Sequence, residues 1–168
     1  MASLASQTAP PERFVLHQSV PIRWWLIHLP HAREAGRFYQ EKLLTGRAAV
    51  VVPETIEAAI LAELSKDLGQ FQLDASIADA LFSDVTRTLS GMRRFRLLDL
   101  VGQEELARAA FLLSAYYGIA FEDAPFAVLA EAAGAPRLIA DEALRARLAP
   151  LQRERPQLRV AWLPDLED

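Results

Sequence analysis

The chain contains no cysteine, which removes disulfide frameworks, thiolate catalysis and cysteine-ligated metals from consideration. Its apolar runs, such as Trp24–Ile27 and Ala48–Val52, fall far short of the ~20 residues that a membrane-spanning helix needs. It has no glycine-rich phosphate loop, no Gly-x-Ser-x-Gly elbow and no two histidines at helical i, i+4 spacing. P-loop nucleotide binding, α/β-hydrolase chemistry and helical zinc motifs therefore lack their signatures. Positive charge is in deficit: 18 Lys and Arg against 22 Asp and Glu give a net charge of −4. That balance disfavours a sequence-independent nucleic-acid binder working through bulk charge. The first twelve residues, MASLASQTAPPE, lack the basic and apolar regions of a secretory leader and read as a disordered tail. A cytoplasmic protein without a membrane partner is the expectation.

What is present is enough to build one core. Hydrophobic residues make up 52% of 168 positions, suited to a single domain over residues 13–164 between tails at 1–12 and 165–168. Short apolar runs at Arg13–His17, Ala48–Val52, Phe95–Leu98, Arg137–Ala140 and Leu158–Leu163 read as strands, the second β-branched enough to be buried on both faces. Helical patterns lie between them. Pro30–Leu44 has proline in its first turn and Gly46 past its end. The helix opened by Pro53 carries Ile56, Ile60, Leu64 and Leu68 on one face. Asp74 reads as the N-cap of a helix that turns Ile77, Leu81 and Val85 inward and ends at Gly91. Gln103–Tyr117, Asp123–Ala133 and Asp141–Leu148 complete the set. Strands alternating with helices imply an α/β protein, a three-layer α/β/α sandwich with a mostly parallel sheet of four to five strands.

In such sheets ligands bind beyond the carboxyl ends of the strands. His17 ends the first predicted strand, Asp141 follows the fourth, and Asp123 opens the helix before it, so all three fall at that edge. Two carboxylates there are the minimum for a divalent cation. Helix capping accounts for either aspartate taken alone.

The stretch Asp123-Ala124-Pro125-Phe126 with Leu129-Ala130, Glu131 and Gly134-Ala135-Pro136, followed by Ile139-Ala140-Asp141-Glu142-Ala143-Leu144, resembles the C-terminal half of PIN domains, the family that includes ribonuclease toxins of the virulence-associated protein C type. More loosely, the resemblance extends from Arg13 to about Leu148. It implies a small α/β fold, a Mg²⁺ or Mn²⁺ cofactor, RNA cleavage and an antitoxin partner covering an acidic groove. Of the four acids typical of the family, Asp123 and Asp141 match the late-helix and post-strand positions, and they are the expected catalytic and metal-binding pair. Ser19 and Val20 match the phrase after the first strand, with Ser19 as an auxiliary residue. The first-strand Asp is replaced by His17, the helix Glu six residues past Pro53 by Ala59, and the Thr before the last Asp by Ile139.

Mg²⁺ favours carboxylate and water oxygens, and imidazole serves Mn²⁺ or Zn²⁺ better. Glu63, one turn beyond Ala59 on the same helical face, is the candidate for a rebuilt ligand set. His17 has three roles open to it: an imidazolium paired with Asp123 or Asp141 in place of the metal, an ordinary satisfied histidine, or a ligand. The ion pair is the expected one, because it relieves repulsion between two carboxylates.

The expectation is thus a PIN-like protein with a degenerate site, weak or inactive as a ribonuclease, binding RNA or a protein, with Mg²⁺, Mn²⁺ or no metal at all. Two alternatives stand beside it: an active Mg²⁺- or Mn²⁺-dependent endoribonuclease toxin held by an antitoxin, and an interaction module. A homodimer is the expected assembly. The aromatic pairs Trp24-Trp25 and Phe38-Tyr39 are assigned to core packing, with an association surface as the alternative.

Overall fold

The computed structural model describes residues 10–71 and 74–166. Most of the predicted N-terminal tail, with Leu73, Glu167 and Asp168, lies outside the described residues. Five strands, β1 (Glu12–Leu16), β2 (Ala48–Pro53), β3 (Leu98–Val101), β4 (Arg137–Ile139) and β5 (Val160–Trp162), form one sheet in the order β3-β2-β1-β4-β5. Every neighbouring pair is parallel. Continuous apolar strands follow from this arrangement, because both faces are covered: Val15, Leu16, Val50 and Val52 are all buried.

Helices α1 (Ala32–Arg37), α2 (Ile56–Leu68) and α3 (Ala75–Arg94) lie between β1 and β3. Helices α4 (Gln103–Tyr117) and α5 (Ala124–Ala133) connect β3 to β4, and α6 (Glu142–Glu154) connects β4 to β5. The chain moves outward in one direction from β1 to β3 and in the other from β4 to β5. Crossovers of one hand then put the two helix sets on opposite faces. The buried residues form two clusters: one gathers Phe14, Leu16, Ile56, Ile60, Val85 and Leu89 with Phe126, Leu129 and Ala130 of α5, and the other Ala110, Leu113, Ile139, Leu144, Leu148 and Trp162. This is a three-layer α/β/α sandwich. Its order reverses between β1 and β4, so their carboxyl ends diverge and open the crevice where such folds place ligands.

Several predicted boundaries move. Helix α3 runs through Gly91 to Arg94, because Met92 is buried against the core. The third strand consequently begins at Leu98 and not at Phe95, which caps the helix and is exposed. Ile77 does not face inward: it is 52% exposed, and the buried stripe of α3 is Val85, Leu89 and Met92. Asp74 is the N-cap, accepting the Ser76 N–H at 2.9 Å. Helix α6 continues past Leu148 through Pro150 to Glu154, burying Leu151. The Pro30–Leu44 helix starts at Ala32 and widens into a π-helical turn over Phe38–Leu43, with Leu44 N–H donating to the Tyr39 carbonyl at 2.9 Å. Asp165 and Leu166, expected in a tail, form a 3-10 turn with Leu163.

The aromatic pairs pack as core-side elements. Phe38 is buried, and Tyr39 packs against Trp24 with its ring tilted by 42°, 4.6 Å between ring centres. Trp24 and Trp25 donate their indole N–H groups to the Ala35 carbonyl and to Asp84.

Candidate functional site

Strand β1 ends at Leu16, and the chain then turns so that His17, Gln18 and Ser19 sit at the mouth of the β1/β4 crevice, all buried. The turn is held to β4 by the His17 N–H donating to the Leu138 carbonyl at 3.1 Å and by the Ala140 N–H donating to Ser19 Oγ at 3.1 Å. Asp123 enters from the opposite layer, at the start of α5, where Pro125 in the first turn suits the helix opening. Its carboxylate makes no capping hydrogen bond with its own helix and is turned into the crevice, 6% exposed.

The His17 ring spans the gap. Its Nδ1 accepts the Ser19 backbone N–H at 3.2 Å and lies 2.9 Å from Ser19 Oγ. Nδ1 is therefore the unprotonated nitrogen, and Nε2–H donates to Asp123 Oδ1 at 2.9 Å. Phe126, one turn into α5, packs edge-on against the ring at 4.8 Å. The pairing expected between His17 and Asp123 is present, but not as an ion pair. Burial first, and then the Arg137 charge, lower the His17 pKa to about 4, against the opposing pull of Asp123 and Asp141. The imidazole is neutral at physiological pH. The sequence pictures two carboxylates in need of a cation, whereas in the fold burial disfavours a charged imidazole and Arg137 already lies against Asp123.

Arg137, the first residue of β4, is 1% exposed. Its Nη2 donates to Asp123 Oδ1 at 3.2 Å, and its guanidinium lies over the Phe126 ring at 5.5 Å. Burial lowers its pKa to about 10, with Asp123 opposing the shift, so it stays charged. Arg147, on α6, approaches the other oxygen, Asp123 Oδ2, at 3.6 Å. Burial pushes the Asp123 pKa up, but the hydrogen bond and electrostatic pull of His17, followed by the Arg137 and Arg147 charges, outweigh it and hold the carboxyl below its ordinary value.

Asp141 follows β4 and caps α6, its Oδ1 accepting the Leu144 N–H at 2.8 Å. It acts electrostatically on His17 and on Arg23. The buried Arg23 donates to the carbonyls of Ser19 and of Pro30, the latter at 2.6 Å.

The crevice thus brings together His17, Ser19, Asp123 and Asp141, as the sequence suggested. Glu63 is elsewhere engaged, facing Lys66 at 3.1 Å on α2, and Glu57 on the same helix accepts from Thr86 at 2.7 Å. Sequence reasoning missed three arginines. Arg147 reads as part of a solvated basic cluster, and Arg23 carries no signal. Arg137 does carry one, since a charged residue inside a run that is otherwise buried strand is rare unless it is paired.

No family model matches the chain, and the comparison with curated proteins finds no match. The chemistry of the side chains then decides what the site can hold. A Mg²⁺ or Mn²⁺ ion requires open carboxylate oxygens. Here Asp123 has His17 and Arg137 on one oxygen and Arg147 near the other, and one oxygen of Asp141 is committed to a helix cap. Around two carboxylates stand the three guanidinium groups of Arg23, Arg137 and Arg147. That donor set does not fit a divalent cation. It suits a polar lock joining β1, β4, α5 and α6.

The lock carries a pH dependence. A histidine with an unfolded pKa of 6.5 and a folded pKa of about 4 binds its proton more readily in the unfolded chain. Stability therefore falls as pH drops from about 6.5 toward 4, with a contribution from His17 of up to about 3 kcal/mol. Urea unfolding of the wild type and of His17→Gln between pH 7.5 and 4.5 should show the slope in the first and a flatter line in the second. Parallel lines would mean that His17 is not neutral in the folded protein.

Proposed function

We propose that this chain is a PIN-like protein whose metal chemistry has given way to an internal polar lock, and that it is weak or inactive as a ribonuclease and works by binding a protein partner. One observation carries the reading: the Asp123 carboxylate, the best family match among the expected ligands, is paired with the buried Arg137, approached by the solvent-facing Arg147 and hydrogen-bonded by a neutral His17. Removing ligands from a catalytic set costs orders of magnitude in rate, and adding guanidinium groups to the remaining carboxylate opposes cation binding further. A protein partner is favoured over RNA by the net charge of −4 and by large apolar residues left exposed on α3 and α4, among them Ile77, Phe82, Phe111 and Tyr116.

Calorimetric titration with Mn²⁺ and Mg²⁺, with Asp141→Ala as control, tests the reading. The expected result is no saturable binding below millimolar metal in either protein, and RNA cleavage no faster with metal than without. Micromolar Mn²⁺ binding that is lost in Asp141→Ala would overturn the proposal in favour of an active metal-dependent endoribonuclease. Tight binding of RNA by the metal-free protein would replace the protein partner with a nucleic-acid one.

A further inference from the structure

Between α5, α6 and the β4–β5 side of the sheet lies a small cavity. Apolar side chains such as Ala127, Leu148 and Val160 wall it, and its polar members are Arg137, Gln152 and Arg159. Two of those three are cations, and among the described residues no carboxylate lines the cavity. Arg137 is 1% exposed and its Nη2 donates to Asp123, but its Nε and Nη1 are buried and have no hydrogen-bond partner among the described residues. Donors left unmatched on a buried charged group are costly, and a native fold rarely leaves them so. Asp123 gives Arg137 only partial relief, because Oδ1 is shared with His17 and Arg147 approaches Oδ2.

Chemistry selects the occupant. A water molecule satisfies N–H groups but leaves the buried charge unanswered, whereas an anion does both. Cations are repelled by Arg137 and Arg159. The cavity volume of about 10 Å³ has room for a single small occupant, which excludes sulfate and phosphate with their tetrahedral oxygens. Apolar walls further favour an ion that gives up its hydration at low cost, and a monovalent ion loses less than a divalent one. We infer that the cavity beside Arg137 is a binding site for one halide-sized monovalent anion, chloride in ordinary solution, held by the guanidinium N–H groups that Asp123 leaves free. The bound ion gives Arg137 a second counter-charge and so makes the stability of the polar lock depend on the anion present. This goes beyond the partner-binding reading and does not rest on it.

Thermal unfolding at fixed ionic strength, with sodium chloride replacing sodium gluconate step by step, tests the site. Chloride about twentyfold above its dissociation constant should raise the Tm by about 4–7 °C for a chain of this length, and the rise should saturate. Bromide should act likewise and sulfate should not. Ala127→Val, which places two methyl groups on the cavity wall in a fold that keeps Arg137 and Asp123, should lose the chloride response, and so should Arg137→Met. In crystals grown with bromide, the anomalous peak should fall within hydrogen-bond distance of Arg137 Nε or Nη1. Equal Tm values in chloride and gluconate would overturn the inference and leave a water in the cavity. A chloride response that survives in Ala127→Val, or a bromide peak elsewhere, would also overturn it and mean an adventitious ion only. The metal titration is unaffected by either result, so the two readings can fail separately.

Discussion

Truncation of Asp123 to alanine is expected to destabilise the fold by about 3–5 kcal/mol, the range for removing one partner of a buried charge pair. The reason is what the variant leaves behind. Arg137 is 1% exposed, and its Nε and Nη1 already lack hydrogen-bond partners among the described residues. Its anionic neighbour within salt-bridge distance is Asp123. Without that carboxylate, a guanidinium remains inside the protein stripped of its counter-charge, and His17 Nε2–H loses its acceptor. Asp123→Asn separates charge from shape. It keeps an acceptor for His17 and removes the anion, so it too should destabilise, by less than alanine. Had the two aspartates been an unrelieved repulsion, the asparagine variant would instead be more stable than the wild type. A raised melting temperature for Asp123→Asn would rule out the polar lock.

Arg137→Met is the second large effect, and it is the more diagnostic when combined with the first. Alone, it should cost about 3 kcal/mol or more, because Asp123 stays buried with only a neutral imidazole and the solvent-facing Arg147 to compensate it. The double variant Asp123→Ala/Arg137→Met removes both charges along with the two unmatched N–H groups. Its loss should fall short of the sum of the single losses by roughly 2–3 kcal/mol, as expected for groups in direct contact. Additive losses, read from denaturant midpoints at pH 7.5, would mean that Arg137 and Asp123 act through different surroundings. The cycle also bears on function. If the pair exists to neutralise a former metal position, a chain freed of Arg137 should bind Mn²⁺ better than the wild type does, and the same preparations can be titrated to find out.

The sequence by itself determined the architecture, for reasons that are local. Periodicity of 3.6 marks α2, a β-branched run marks β2, and Asp74, Gly118 and Gly134 punctuate helices through caps and left-handed turns that need no tertiary partner. Alternation of the two periodicities then leaves a parallel sheet with helices on both faces as the packing that buries every apolar stripe. The ends of α3 and β3 fall elsewhere than the sequence suggests because a locally sound stop signal at Gly91 loses to the burial of Met92, a contact between segments far apart in the chain.

The site divides along the same line. Its location was legible, since residues after β1 and β4 must meet wherever the strand order reverses, and His17, Ser19, Asp123 and Asp141 do gather there. Its charge state was not legible. Whether His17 is an imidazolium depends on the balance between desolvation and every charge within a few ångströms. Burial decides it first and the Arg137 charge second, and Arg137, from the strand before Asp141, meets Asp123 and His17 only once the layers have packed. A sequence shows which residues can ionise. The field in which they do so belongs to the folded protein.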